Sequence, residues 1–217
     1  MFYIKLNKIK ILNNREFLGK GEVQIMSFIT TGNEQLPQLQ GFYKAMNQKE
    51  KEEWTRSMVE TVLGWRILTP VYKIRDHHQL FFGDTGFVVF KSETIPEDFN
   101  WQLLAIELDE KTRQNADLAE MICSKENNHS KIINFIQNHP GGLNPIPGVV
   151  NLIIEIVARA LPKVFKNDRD DQIGLFIASL NRKEHYPHGC RDRQDVPDLS
   201  GNMFVDYSIF GFENSVD

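Results

Sequence analysis

The stretch Asn167-Asp168-Arg169-Asp170-Asp171-Gln172-Ile173-Gly174 decides how the rest of the chain is read. It sets three carboxylates within four residues, directly before an apolar run over 173–180. Carboxylates this close repel one another unless a cation or a basic side chain neutralises them, and hard cations prefer oxygen ligands. The short apolar run reads as a strand, which puts the acids in a loop at the edge of a sheet.

Other strands can be recognised from that one. Phe2, Ile4 and Leu6 alternate with polar residues as in a half-buried strand, while Ile9 and Ile11 fall on the opposite parity. A bulge near Asn7-Lys8 accounts for the slip. A loop from Asn13 to Glu16 leads to a second strand over 22–30, apolar on both faces and therefore central. Turn residues fill 32–41, and a helical pattern runs over 42–62 with 49–53 as its solvated face. Strand signals return at 67–72, 80–82, 86–90 and 101–108, with turns at Asp76-His77-His78 and Gly83-Asp84-Thr85-Gly86.

From Asp109 the pattern becomes helical, over 109–123 and again over 131–138, with a polar loop at 124–130 between them. His139-Pro140-Gly141-Gly142 breaks the second helix, and Pro145 and Pro147 introduce an apolar one from about Val149. On that helix Val150, Ile153, Ile154, Val157 and Leu161 share a face, which can pack in a core or lie at an interface. Glu155 and Arg159 form an i,i+4 pair on another face. Residues 181–200 read as a polar loop, and 203–212 as an aromatic closing strand. The expected fold is mainly β with an α insertion. It is one antiparallel β-sandwich domain over 1–217, interrupted at about 110–165 by helices inserted before the acidic loop.

Composition narrows the function. With 41% hydrophobic and 25% charged residues the chain is globular rather than disordered, and a net charge of -4 argues against a general nucleic-acid binder. Two cysteines, Cys123 and Cys190, are too few for a disulfide framework. The opening Met1-Phe2-Tyr3-Ile4-Lys5 has no long apolar run, so no signal peptide is expected. The apolar helix carries Asn151, Glu155, Arg159 and Pro162 and falls short of the roughly 20 apolar residues of a membrane span. A cytoplasmic protein, peripheral at a membrane at most, is the expectation.

If 101–108 and 173–180 are neighbouring strands, Asp109 leaves one while Asp168, Asp170 and Asp171 enter the other, and the carboxylates gather at one end. Asn13, Asn14 and Glu16 can join them, and several loops together supply the six to eight oxygens calcium takes. The plainer reading is a solvated acidic turn, with Asp168 or Asp171 paired to Arg169 or Lys166. His185, His188 and Cys190 offer zinc-type ligands, with a fourth from His77, His78 or an aspartate, but no second Cys/His pair stands nearby. Cys190 beside His188 is a nucleophile pair only if folding supplies the geometry. Asp84 lies in a sequence similar to the Asp-Thr-Gly of aspartic proteases, which need two such loops; a hairpin turn accounts for the one present. Phe81, Phe82, Phe87, Phe90, Phe204, Tyr207, Phe210 and Phe212 are expected to fill the core, with a minority at loop tips free to insert into a membrane or a partner.

An apolar strand ending in acid, then Asn-Asp-x-Asp-Asp-x-Ile-Gly, then another apolar strand, resembles the third top loop of the C-two domain. That family is the calcium- and phospholipid-binding β-sandwich of protein kinase C and synaptotagmin. Asp109 matches the acid that ends the earlier strand, and Asp171 the acid before the hydrophobic-Gly pair Ile173-Gly174. The sequence departs from the pattern where Leu108-Asp109-Glu110 lacks a second Asp, and where some fifty residues open the loop. The resemblance implies calcium as cofactor, with Asp109, Asp168, Asp170 and Asp171 as ligands and Lys166 and Arg169 touching phosphate. It implies a non-enzymatic module that docks to a phospholipid surface or a protein partner. The alternative is a metal-free structural or interaction subunit of a larger, secreted or toxin-like assembly. Further behind stands a metal-dependent hydrolase.

Overall fold

The alternation at the start of the chain makes strand β1 (Phe2–Ile11), in which Phe2, Ile4, Leu6, Ile9 and Ile11 are all buried. Its register against the last strand shifts between Leu6 and Lys8, so the bulge falls where the parity slips. The computed structural model describes residues 1–14, 20–107, 115–138, 145–165, 172–185 and 189–212. It contains two compact units: Met1–Thr31, Ile67–Leu108 and Asp170–Asp217 form one, Gly32–Arg66 and Asp109–Arg169 the other.

The first unit holds β1, β2 (Gly21–Thr30), β3 (Ile67–Leu68), β4 (Tyr72–Ile74), β5 (His78–Phe81), β6 (Phe87–Ser92), β7 (Asp98–Glu107), β8 (Gln172–Asn181), β9 (Gly189–Pro197) and β10 (Met203–Gly211). They form two antiparallel sheets. In one, β1 lies between β10 and the two short strands β5 and β6, and β9 pairs with the far edge of β10. In the other, β2 lies between β7 and the short strands β3 and β4, with β8 beyond β7. The central position expected for β2 from its two apolar faces is the one it occupies.

Both sheets supply one core. Trp101 on β7 meets Phe176 on β8 and Tyr207 on β10 edge-on, at ring separations of 5.3 and 5.5 Å. Its indole N–H donates to the Ser27 hydroxyl at 3.2 Å, so a buried polar atom is satisfied. Phe2, Phe90 and Phe99 form a second such group, 5.5–6.1 Å apart.

Several expectations change. Phe81 and Phe212 are 69% and 57% exposed, and Phe204 and Phe210 are only half-buried. On β10 the buried set is Met203, Val205, Tyr207 and Ile209, so Phe204 and Phe210 take the opposite parity, and Phe210 stacks on Tyr3 at 4.8 Å. The polar stretch 181–200 is not a loop throughout. It contains β9, an edge strand held by β10, whose Arg191, Asp192, Arg193 and Asp195 mask it from hydrophobic pattern reading.

The Asp84 turn is not a hairpin. Phe81 pairs with Lys8 and Phe87 with Leu6, so β5 and β6 follow one another along the same edge of β1. Residues 82–86 are an excursion around the β1 bulge: the Phe82 N–H donates to the Asn7 carbonyl at 3.0 Å. Gly86, at φ +75°, lies so close that a Cβ would stand 2.5 Å from the Asn7 amide oxygen. The strand expected over 67–72 is likewise split, at Pro70, which has no N–H for the ladder. Thr69 compensates, donating its N–H to the Ile25 carbonyl at 3.0 Å and accepting the Ile25 N–H on its hydroxyl at 3.1 Å.

The second unit holds α1 (Gln38–Lys44), α2 (Gln48–Gly64), α3 (Asn115–Ser124), α4 (Asn128–Asn138) and α5 (Ile146–Phe165). The helix expected over 42–62 is two helices because Asn47 starts a new one. Its side chain accepts the Glu50 N–H at 2.9 Å, and the Glu50 carboxylate accepts the Met46 N–H at 2.7 Å, a reciprocal cap. Of the helix expected over 109–123, residues 109–114 lie outside the described residues. The expected loop 124–130 is a 3-10 turn (Lys125–Asn127) running into α4. On α5, Val150, Ile153, Ile154 and Val157 are buried, and the helix packs against α2, α3 and α4. That face is therefore internal rather than interfacial; the Leu161 side chain lies outside the described residues. Among the described residues no helix is long and apolar enough to cross a membrane.

Gly174, of the Ile173-Gly174 pair, is where β8 approaches β10: a Cβ there would lie 2.6 Å from the Met203 Cβ. Gly174→Ala should destabilise the protein by about 1–3 kcal/mol in urea unfolding, because a backbone-anchored atom must shift. An unchanged urea midpoint would show that the two strands have room to part.

Candidate functional site

Antiparallel pairing brings the end of β1, the start of β2, the β4–β5 turn, the end of β7, the start of β8 and the β9–β10 turn to one rim. The register fixes this: Ile11 pairs with both His78 and Met203, Gly21 with Ile74, Val23 with Glu107, and Ile106 with Gln172. β7, which ends at Glu107, and β8, which starts at Gln172, are thus antiparallel neighbours, as the grouping of acids requires. Asp109, Asp168, Asp170 and Asp171 themselves, with Lys166, Arg169 and Glu16, lie outside the described residues.

Within the described part of the rim, polar side chains tie the loops together. Asn202 accepts the Asn13 N–H at 2.9 Å and donates to the carbonyls of Asn13 and Ile173 at 2.9 and 2.7 Å. Asp76 accepts the Asn14 N–H at 2.8 Å, while the buried Asn14 amide donates to the Ile74 carbonyl at 3.1 Å. Asp198 is the centre of this arrangement. Its carboxylate, 6% exposed, accepts the N–H groups of Leu175, Asn202 and Met203 at 2.9, 3.0 and 3.1 Å, and the Ser200 hydroxyl at 2.8 Å. A buried carboxylate needs such donors, and here they come from β8, β10 and the turn between β9 and β10. Asp198 and Asn202 were not singled out from the sequence. The cue was Asp198-Leu199-Ser200-Gly201-Asn202, a run of turn residues directly before a strand.

A second polar group lies on the outward face of the β1–β10–β9 sheet. Lys8, presented by the β1 bulge, meets Asp206 at 2.8 Å and Asp195 at 3.5 Å. The hydrogen bond it donates to Asp206 holds the Lys8 ammonium above its ordinary pKa. Asp195 sits at φ +49° beside a register shift and donates its N–H to Asp206 at 2.7 Å.

The other candidates are dispersed. Asp84 is exposed on the excursion between β5 and β6, His77 is exposed at φ 57° in the β4–β5 turn, and His78 is half-buried beside Ile11. His188 and the side chains of His185 and Cys190 lie outside the described residues. Among the described residues, no group of three or more His, Cys, Asp or Glu side chains could hold a metal ion.

Cys123 and His129 do meet, in the helical unit, but not as a nucleophile and its base. His129 Nδ1 lies 2.8 Å from the Cys123 carbonyl, and Nε2 3.6 Å from Glu52. Burial pushes the Cys123 thiol up to about 12, which keeps it protonated and unreactive. Comparison with protein-family models, with curated proteins and with solved structures finds no match.

Asp198→Asn, which removes a charge and one acceptor oxygen while donors remain, should cost about 2–4 kcal/mol in chemical unfolding. A loss below about 0.5 kcal/mol would mean that water replaces the carboxylate at no cost. The Cys123 thiol ionises first in the unfolded chain, near its ordinary 9.0. Its contribution to stability is therefore complete below pH 9 and drains away as pH rises towards 12, by roughly 1 kcal/mol per pH unit. Urea midpoints of wild type and Cys123→Ala should converge between about pH 8 and about pH 11; parallel curves would contradict the buried thiol.

Proposed function

We propose that the chain is a non-enzymatic binding module of the C-two-like kind. It docks to a phospholipid surface or a protein partner through acidic loops at one rim of its sandwich, and does so when calcium is bound. The observation that carries this reading is the Ile106–Gln172 pairing, which makes neighbours of the two strand ends flanking Asp109 and the Asp168-Asp170-Asp171 cluster. Two unscreened carboxylates about 4 Å apart near a protein surface repel by roughly 4 kcal/mol, and a divalent cation among them reverses the sign of the local field. Anionic headgroups or acidic side chains can then approach, with Lys166 and Arg169 as direct contacts for phosphate.

Calorimetric titration with calcium chloride should give saturable binding that weakens at least about tenfold in Asp171→Asn. Pelleting with phosphatidylserine vesicles should then require calcium and be reversed by chelator. Absence of calcium binding in the wild type would end the calcium reading.

A metal-free interaction module is the second reading, and one observation favours it. Asp198 and Asn202 already lock the rim with their own hydrogen bonds, so its described part needs no cation to hold its shape. Calcium-independent self-association in light scattering, unchanged by chelator, would select this reading over the first.

A further inference from the structure

The two sheets of the sandwich do not end together on the side of β8 and β9. Each of these strands is the outermost of its own sheet. β8 lies over β10, where Gly174 meets Met203 and the rings of Phe176 and Tyr207 stand 5.7 Å apart. β9 therefore extends one strand further as a ledge, and among the described residues no strand of the other sheet faces it. The β8 edge that borders this ledge turns its hydrogen-bonding groups outward. Leu175 donates its N–H to Asp198 at 2.9 Å and accepts the Leu199 N–H at 3.0 Å, both on the side away from β7. Alternate residues of an antiparallel ladder share an edge, so Ile177 and Ser179 point their N–H and C=O groups the same way. Among the described residues nothing pairs with them there. The edge is also unguarded: residues 173–180 carry no charge, Ile177 is 44% exposed, and Leu199 is 73% exposed.

The inward side of the ledge is basic. Arg191 and Arg193 stand opposite Ile209 and Tyr207, whose side chains are buried between the sheets, so both guanidinium groups leave β9 on that inward face. Burial raises the pKa of the Tyr207 hydroxyl, and Arg193 and Arg191 are near enough to oppose the rise. Among the described residues neither arginine meets a carboxylate. The acids close to them along the chain are engaged elsewhere: Asp192 accepts from Ser208 on the opposite face, Asp195 meets Lys8, and Asp198 is held by its own donors.

We propose that the ledge receives an extended acidic peptide segment of a partner protein, which adds to β8 as a further strand opposite β9. Its backbone pairs with Ile177 and Ser179. Its inward side chains are carboxylates that meet Arg191 and Arg193, and its outward ones are apolar and lie beside Ile177. Main-chain bonds of this kind supply affinity, and the alternating side chains select the sequence. Arginine suits the second task because its fork of donors matches a carboxylate. Leu199 at one end and the short helix α6 (Arg182–His185) at the other limit the added strand to about five residues. The surface needs no cation, so its test is independent of the calcium reading.

The probe is a short capped peptide of alternating valine and glutamate, titrated into the whole chain by calorimetry. It should bind saturably and slow hydrogen exchange at the Ile177 and Ser179 amides at least about tenfold. A peptide with lysine in place of glutamate should bind at least about tenfold more weakly. Methylating one alternate set of peptide nitrogens should weaken binding at least about tenfold as well, and methylating the other set less, because a single edge of the added strand faces β8. Arg191→Ala combined with Arg193→Ala should weaken the glutamate peptide at least about fivefold. Failure of that peptide to bind, an equally tight lysine peptide, indifference to both methylated forms, or unchanged affinity in the double variant would each overturn the proposal. Dimerisation of the chain alone with the same two amides protected would overturn it too, since the occupant is then a second copy.

Discussion

Burial of the two facing sheet surfaces around Trp101 is the constraint on which the sandwich depends. The indole lies on β7, Phe176 on β8 and Tyr207 on β10, so three strands and both sheets meet in one edge-to-face group. Each such side chain gains about 1.5–3 kcal/mol from leaving water, and the ring geometry adds to it. A slip of one residue in any of these strands would turn its inward set towards solvent. The β1 bulge answers the same constraint, because only an extra residue lets Phe2, Ile4 and Leu6 face inward together with Ile9 and Ile11.

The strand ends are fixed by different chemistry from the core. At the rim, side-chain oxygens and amides of Asp198, Asn202, Asn14 and Asp76 replace the ladder bonds that end with the strands. Segments that carry function gain from being anchored on such a frame, since ordering costs are met before a ligand arrives. Here the bonds tie the start of β8 to the β9–β10 turn and to the residues after β1.

Much of the fold was legible because burial leaves a periodic trace. Alternation marked β1, aromatic content marked β10 without its inward parity, two-sided apolarity marked β2, and spacing of three and four marked the buried face of α5. What was missed has little local trace. β9 is a strand because β10 offers it hydrogen bonds, although Arg191, Asp192, Arg193 and Asp195 read as loop. The excursion at Asp84 looked like a hairpin because Gly83 and Gly86 supply positive φ values in either case. Of the candidate site, the neighbouring strands were foreseen and the stabilising acid was not. Asp198 resembles any turn aspartate until the four donors from residues 175–203 converge on it.

By itself the sequence determined which segments bury a face and with what period, because a side chain's burial depends on its own chemistry and on its immediate neighbours in the chain. It determined the strand character of 2–11 and 203–211, the helix of 146–165, and the clustering of acids before Ile173. Only the tertiary structure decided which strands lie side by side, which aromatic rings face inward, and that Asp198 is a structural anchor. Those outcomes depend on hydrogen-bond partners and packing surfaces contributed by residues far away in the chain, and local spacing carries no record of them.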